Sequence, residues 1–250
     1  MDLGIAERVA LVGGATRGIG HAVAQALVAE GARVAITARD AAHTAAAAAE
    51  LGAAAGYGWN SSDLDAAPAL VQRVQRELGP VDILVTNTGG PPANPDPLAF
   101  TTEQWTAAHR VLVESPITLV ELVVAGMRER GWGRILNIGS TAMREPIASL
   151  MLSSAERSAT LAAFKTLARE LAGDGITVNT LLPGRIATER LAETHGSLRV
   201  AEAAAAREVP AGRLGRPEEM GAAAAFLCSQ PAAYITGAAL AVDGGMLRAT

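Results

Sequence analysis

The chain of 250 residues holds one cysteine, Cys228, so it has no internal disulfide framework and no cluster for structural zinc. Positive charge is not in excess: a formal net charge of −4 argues against a nucleic-acid or anionic-membrane surface, which needs clustered basic residues. No apolar run approaches the roughly 18 residues of a membrane span. The start, MDLGIAERVALVGG, carries an acid at residue 2 and runs straight into a glycine turn, unlike a signal peptide. Cytoplasm is therefore the expected location. Tyrosine and lysine are scarcer still: the only phenols are Tyr57 and Tyr234, and the 21 basic residues include a single lysine, Lys165. Both scarcities constrain the chemistry. What the chain has in quantity is apolar side chains, 50% of the total, too many for a disordered chain and enough for a substantial core.

Apolar runs of strand length alternate with longer alanine-rich or amphipathic stretches. Residues 8–13, 33–37, 82–86, 134–138, 176–182 and 238–242 are aliphatic or β-branched and bounded by Gly, Pro or Asp, which predicts buried strands, with a weaker one at 54–59. Helical patterns occupy 18–30, 40–51, 63–79, 101–130, 150–173 and 217–229, with Asp40 and Asp63 as expected N-caps and Gly31, Gly52, Gly79 and Gly131 as stops. Such alternation predicts an α/β fold: one Rossmann-type, doubly wound parallel sheet of about seven strands with helices on both faces. No Ser/Gly-rich linker divides the chain, so residues 1–250 are expected to form a single domain. The less regular stretch 187–216 is expected to be an inserted lid beyond the carboxyl ends of the strands.

The first strand runs into Gly13-Gly14-Ala15-Thr16-Arg17-Gly18-Ile19-Gly20 and then opens a helix. Gly14, Gly18 and Gly20 let the backbone turn sharply and let a pyrophosphate approach the main chain. The helix that follows offers free N–H groups and the positive end of its dipole. A glycine trio alone is a weak signal, but between a strand and a helix it has the context that dinucleotide binding demands.

With these motifs the chain resembles a short-chain dehydrogenase/reductase, most of all the 3-oxoacyl-acyl-carrier-protein reductase branch, over nearly its whole length. The family's Thr-Gly-x-x-x-Gly-x-Gly is matched at 13–20, with Gly13 where Thr is usual. Its Asn-Asn-Ala-Gly is matched loosely by Thr86-Asn87-Thr88-Gly89, its Pro-Gly turn by Pro183-Gly184 with Thr188, and its Val-Asp-Gly-Gly by residues 242–245. The resemblance implies a nicotinamide dinucleotide held by Gly14, Thr16, Arg17, Gly18, Ile19, Gly20, Arg39, Asn60, Ser61, Asn87, Gly89, Pro183, Gly184, Ile186 and Thr188. It also implies a homotetramer built through the two long helices and the last strand, with no metal. An acid after the second strand would favour NAD(H), and arginine there NADP(H). Asp40 reads as the cap of the next helix, whereas Arg39 and Arg17 suit bidentate phosphate contacts. NADP(H) is therefore the expected cofactor, with NAD(H) possible.

In the family a tyrosine exchanges the proton on oxygen, a lysine four residues later lowers that tyrosine's pKa and holds the nicotinamide ribose, and a serine fixes the carbonyl. An asparagine on the preceding long helix anchors a relay water. Here Ser140 aligns with the serine, but Ser153 stands where tyrosine belongs, Arg157 where lysine belongs and Leu112 where asparagine belongs. The register is fixed downstream by Gly175-Ile176-Thr177-Val178-Asn179, and neither tyrosine precedes Lys165 by four. Both tyrosines are expected to be packing residues. The expected roles are Ser140 orienting the oxygen, Ser153 or a water held by it donating the proton, and Arg157 clamping the ribose beside a developing alkoxide. Ser154 is an alternative to Ser153, and Arg144 and Glu145 flank the site as possible substrate contacts or a surface ion pair.

Two functions follow. One is an NADP-linked oxidoreductase acting on a ketone or secondary alcohol, an acyl thioester among the candidates. It is slowed by loss of a tuned general acid, typically worth about 10²–10⁴ in rate. The other is a catalytically silent nucleotide-binding or sensing protein of the same fold.

Overall fold

Seven parallel strands form the centre of the protein in a computed structural model describing residues 1–249. They are β1 (Val9–Gly13), β2 (Arg33–Ala38), β3 (Ala55–Gly58), β4 (Ile83–Thr86), β5 (Gly133–Ile138), β6 (Ile176–Pro183) and β7 (Ala239–Val242), in the order β3-β2-β1-β4-β5-β6-β7. All seven coincide with segments expected from the sequence. β1, β4 and β5 are buried along their whole length, which is why they read as unbroken aliphatic runs. The strand order reverses between β1 and β4, and the crevice beyond their carboxyl ends is where such sheets bind ligands.

The connections are helical: α1 (Gly18–Ala29), α2 (Ala41–Leu51), α3 (Ala67–Leu78), α4 (Thr102–His109), α5 (Ser115–Arg130), α6 (Met151–Leu171), α7 (Glu189–His195), α8 (Leu198–Glu208) and α9 (Pro217–Leu227). One apolar cluster includes Val23, Leu27, Met220 and Leu227 from α1 and α9, and the other includes Val74, Val123 and Phe164 from α3, α5 and α6; each is completed by strand residues. The sheet is thus covered on both faces by separate cores.

Four sequence expectations need correction. Asp40 caps α2 as expected, accepting from the His43 N–H, but Asp63 does not start α3. Its carboxylate accepts from Ala66 N in the turn ahead of the helix, which begins at Ala67 with Pro68 in the first turn. The 101–130 helix carries a π-helical turn over Arg110–Glu114 between α4 and α5. Pro116 has no N–H to give to the Leu112 carbonyl, and the Thr160 hydroxyl of α6 donates to that oxygen instead. Segment 187–216 is more regular than expected. Thr188 and Ser197 accept from Leu191 N and Val200 N and so start two short helices, α7 and α8, whose turns were too few to read as a period. Finally, Tyr57 packs in the core and donates to Glu77, but Tyr234 is fully exposed and so is not a packing residue of this chain's described core.

No helix among the described residues is long and apolar enough to cross a membrane. No group of three or more His, Cys, Asp or Glu side chains among them could hold a metal ion.

Candidate active site

β1 ends in a loop that must double back under β4. Gly14 adopts φ +57°, and a Cβ there would lie 2.8 Å from Asn87 O. A Cβ on Gly20 would overlap the Gly14 carbonyl oxygen. Both positions therefore exclude any other residue on steric grounds. The loop is fastened from β4: Asn87 Nδ2 donates to Gly13 O and Gly14 O, each at 3.2 Å. Arg17, at the N-cap of α1, makes no side-chain cap bond, and the first turn holds no acidic residue. The N–H groups of that turn therefore face outward without a side-chain acceptor, beside the positive end of the helix dipole.

Above this loop opens a cleft of about 630 Å³. Gly14, Thr16, Arg17, Gly18, Ile19 and Gly20 form its floor; Arg39, Asn60 and Ser61 bound one end; Asn87, Gly89 and Thr188 lie toward the other. The structure thus gathers these sequence candidates around one space. Pro183, Gly184 and Ile186 do not line it. The Ile186 side chain is in the core at 4% exposure, and a Cβ on Gly184 would meet Asp243 at 2.7 Å, so this turn shapes the wall from behind. Thr88, Gly89 and Gly90 wall it too, as the stretch Thr88-Gly89-Gly90-Pro91-Pro92 suggests, whereas Thr37, Trp59, Val111, Glu189, Arg190 and Glu193 were not anticipated. The position of Glu189 and Arg190 immediately after Thr188 was the one available signal.

The charges at the two ends differ. Arg39 is exposed, and Asp40 beside it is turned to the α2 cap. Arg17 reaches across the cleft to an ion pair with Glu189 at the start of α7. The next residue, Arg190, donates to Pro91 O at 3.2 Å on the opposite wall. α7 therefore touches both sides of the opening.

Beyond the carboxyl end of β5, Ser140 caps a short 3-10 turn, its Oγ accepting from Ala142 N at 3.1 Å. Ser153 and Arg157 sit one turn apart on α6, and Arg157 Nε donates to Ser153 Oγ at 3.2 Å. The other arm of the guanidinium bonds backbone: Nη1 to Ile138 O at 3.0 Å and Gly139 O at 3.4 Å, Nη2 to Thr88 O at 3.4 Å. No carboxylate lies within ion-pair distance of Arg157 among the described residues. Burial, with repulsion from Arg190, pushes its pKa down to about 10, still far above neutrality. Behind it lies a cavity of about 10 Å³, the size of one water, lined by Thr86, Thr88, Leu112, Pro116, Asn137 and Thr160 besides Arg157 itself. The expectation of a ribose clamp needs revising, because Arg157 faces this small cavity and backbone carbonyls while the large cleft is walled by other residues.

The flanking candidates have other partners. Arg144 donates to Ala239 O, and the Glu145 carboxylate accepts from Arg248 N and Ala249 N, so the two form no ion pair with each other. Ser154 Oγ accepts from Ile147 N at 3.4 Å. Cys228 is buried, its thiol pushed up to about 12 by burial, and takes no part in the cleft.

Comparison with known proteins places this geometry. Residues 14–247 match the family described as Enoyl-(Acyl carrier protein) reductase. The chain is 37% identical over 240 residues to the 3-oxoacyl-(acyl-carrier-protein) reductase FabG of Vibrio harveyi, covering 96% of this chain and 97% of that one. It is 36% identical over 241 residues to the acetoacetyl-CoA reductase of Rhizobium meliloti, covering 96% and 98%. Among solved structures, L-sorbose reductase from Gluconobacter frateurii, complexed with NADPH and L-sorbose, superposes with a TM-score of 0.94 at 31% identity, covering 100% of both chains.

Proposed function

The chain belongs to the short-chain dehydrogenase/reductase family, and from that premise we propose that it is an NADP(H)-dependent oxidoreductase acting on a small carbonyl compound or the corresponding alcohol. The observation that carries the cofactor choice is the pair Arg39–Asp40: the acid that would accept from the ribose hydroxyls of NAD(H) caps α2, and the adjacent guanidinium has no protein partner among the described residues. Residues of the cleft fit a dinucleotide. The free N–H groups of α1 and the side-chain-free surface of Gly14, Gly18 and Gly89 suit the pyrophosphate, and Arg39 suits a 2′-phosphate, which Arg17 would join on exchanging its Glu189 partner for it. Thr16, Ile19 and Gly20 would line the diphosphate path, Asn60 and Ser61 the adenine end, and Asn87 and Thr188 the nicotinamide side. When bound, the reduced nicotinamide supplies hydride.

Ser140 would orient the substrate oxygen, Ser153 would face the same oxygen, and Arg157 would set the charge around both. Segment 187–216, with α7 bridging the two walls, would act as the substrate lid, and the exposed Phe226, Tyr234 and Leu240 near the last strand would be covered in a homotetramer. A cytoplasmic location is in keeping with this reading.

A second reading is a protein that holds the dinucleotide without turnover. It is favoured by one observation: Ser140, Ser153 and Arg157 include no group that titrates near neutral pH. Calorimetric titration with NADPH and NADH, on the wild type and Arg39→Ala, separates the possibilities. NADPH should bind more tightly, and Arg39→Ala should weaken NADPH by about 10-fold while leaving NADH unchanged, the size of one lost charge-assisted contact. Stopped-flow oxidation of NADPH with 3-oxoacyl thioesters and diketones then divides reductase from silent binder; binding without turnover on every substrate would select the second reading.

A further inference from the structure

Among the described residues, four buried side-chain atoms have no hydrogen-bond partner: Ser115 Oγ, Asn137 Nδ2, Thr177 Oγ1 and Arg185 Nη1. Of these residues only Asn137 lines a cavity described above, the small one behind Arg157. Asn137 is 6% exposed and stands on β5 directly opposite Thr86 of β4. The Thr86 hydroxyl donates to its Oδ1 at 3.0 Å. That bond turns the other end of the amide, with its two N–H groups, away from Thr86. A buried amide N–H without an acceptor costs about as much as a broken hydrogen bond, so such groups are normally matched.

The guanidinium on the same wall is short of an acceptor as well. Arg157 has five N–H groups but only four protein acceptors: Ser153 Oγ, Ile138 O, Gly139 O and Thr88 O. Its charge is also unbalanced. No carboxylate lies within ion-pair distance among the described residues, and the charge that acts on it most, Arg190, is positive too. The rest of the lining supplies no negative charge. Thr86 is turned to Asn137 and Thr160 to the Leu112 and Glu156 carbonyls, while Thr88 adds a hydroxyl and Leu112 and Pro116 add apolar wall. A water there would accept from Asn137 and Arg157. It would find only hydroxyl oxygens for its own protons, and it would leave the cation uncompensated.

We infer that this cavity is a binding site for one monatomic anion, chloride, held by Asn137 Nδ2, the spare N–H of Arg157 and the Thr88 hydroxyl. The inference goes beyond the oxidoreductase reading and does not rest on it. At about 10 Å³ the void takes a single water-sized particle. That excludes sulfate, phosphate and carboxylates but admits chloride, which is only slightly larger than water. Fluoride is smaller, but it holds its own water more strongly and stays in solution. An acceptor-only ion suits a lining whose unpaired groups are donors, and its charge offsets that of the guanidinium. It does so without displacing any of the four bonds that tie Arg157 to Ser153, to the end of β5 and to the loop after β4.

The test follows thermal unfolding at constant ionic strength as sodium chloride replaces sodium gluconate. Tm should rise by roughly 3–5 °C for each tenfold increase in chloride above the dissociation constant, as mass action requires. Bromide should act as chloride does, and fluoride should not. In crystals grown in sodium bromide, anomalous scattering should place one bromide between Asn137 and Arg157. Asn137→Asp sets a fixed negative charge beside the guanidinium at unchanged size. It should abolish the chloride response and, in gluconate, melt at or above the wild type. Chloride and gluconate that stabilise equally overturn the inference, because ionic strength alone then acts. A bromide peak without the solution response marks an adventitious ion only and overturns it too, as does a chloride response undiminished in Asn137→Asp. The wild-type titration and the anomalous map decide the question even where the variant fails to fold. Neither readout involves NADPH or turnover, so the oxidoreductase reading stands or falls separately.

Discussion

Asparagine and aspartate differ at position 87 by one NH₂ for one oxygen, with no change of size, and the structure makes the two residues act in opposite directions. Asn87 Nδ2 donates to Gly13 O and Gly14 O, both at 3.2 Å, and is the side-chain tie between β4 and the glycine loop. Asn87→Ala loses two hydrogen bonds worth about 0.5–1.5 kcal/mol each, so about 1–3 kcal/mol together. Asn87→Asp loses the same bonds and also sets a carboxylate against two carbonyl oxygens, so it should be the less stable of the two at pH 7.5. Its folded-state pKa would be raised by that repulsion above the unfolded value. Acid thus restores what neutrality removes: below the unfolded pKa the neutral carboxyl can donate one bond, and the benefit is lost as pH rises through the folded pKa. Thermal unfolding at pH 7.5 and pH 4 reads this directly, each kcal/mol being worth roughly 2–4 °C in a chain of this length. The loop also lines the nucleotide cleft, so the stabilisation conferred by saturating NADPH should shrink in the same order. Asn87→Asp as stable as Asn87→Ala at neutral pH, or showing no recovery in acid, would refute the proposed direction of the amide and with it the tie.

Two further perturbations probe the frame around the site. Glu219 accepts from Arg213 through both oxygens and from Arg216 N, and these bonds hold its carboxyl down at about 2 against an ordinary 4.5. Because the folded pKa is depressed, its contribution is complete above about 4.5 and is lost as pH falls through about 2. Glu219→Gln should therefore flatten the acid limb of the stability curve in that window, and an unchanged slope in urea melts from pH 4.5 to 2 would contradict the contact. Arg134 is a buried guanidinium that bonds Ser229 O, Gly133 O and Gly175 O and stacks 4.3 Å from the Trp132 ring centre, with no ion-pair partner among the described residues. Arg134→Met should cost about 1–3 kcal/mol for each carbonyl that water cannot then reach; an equally or more stable variant would mean that relief from burying the cation outweighs them.

The strands were legible because a doubly covered parallel sheet demands continuous aliphatic runs, and Val9–Gly13 or Ile83–Thr86 can hardly be anything else in that setting. The glycine loop was legible for a different reason: Gly14 and Gly20 are steric necessities, and steric necessity leaves a fixed residue type. What could not be read was whatever depends on a partner far along the chain. The π turn at Arg110–Glu114 needs Pro116 and Thr160 together. The bridging role of α7 needs Arg17 and Pro91, and neither adjoins Glu189 or Arg190. The family resemblance set Arg157 at the site, where the lysine belongs, but the carbonyls it serves come from β5 and the loop after β4, and no local pattern announces them.

At the proposed chemical centre, the differences from the family pattern are better understood as one change than as three losses. A lysine at 157 presents a point charge on a flexible stem, whereas the planar fork of arginine can bond Ser153, the β5 carbonyls and Thr88 O at once. Once that fork is in place, a phenol four residues earlier would gain little, because its role depends on a neighbour that lowers its pKa while leaving room for the ribose, and the guanidinium is turned to the backbone. Leu112 follows the same logic. With its carbonyl taken by Thr160 and an Arg157 that keeps its proton near neutral pH, a water-anchoring side chain there would have nothing to relay. The three substitutions agree with one another physically, each removing a part that the others have made idle.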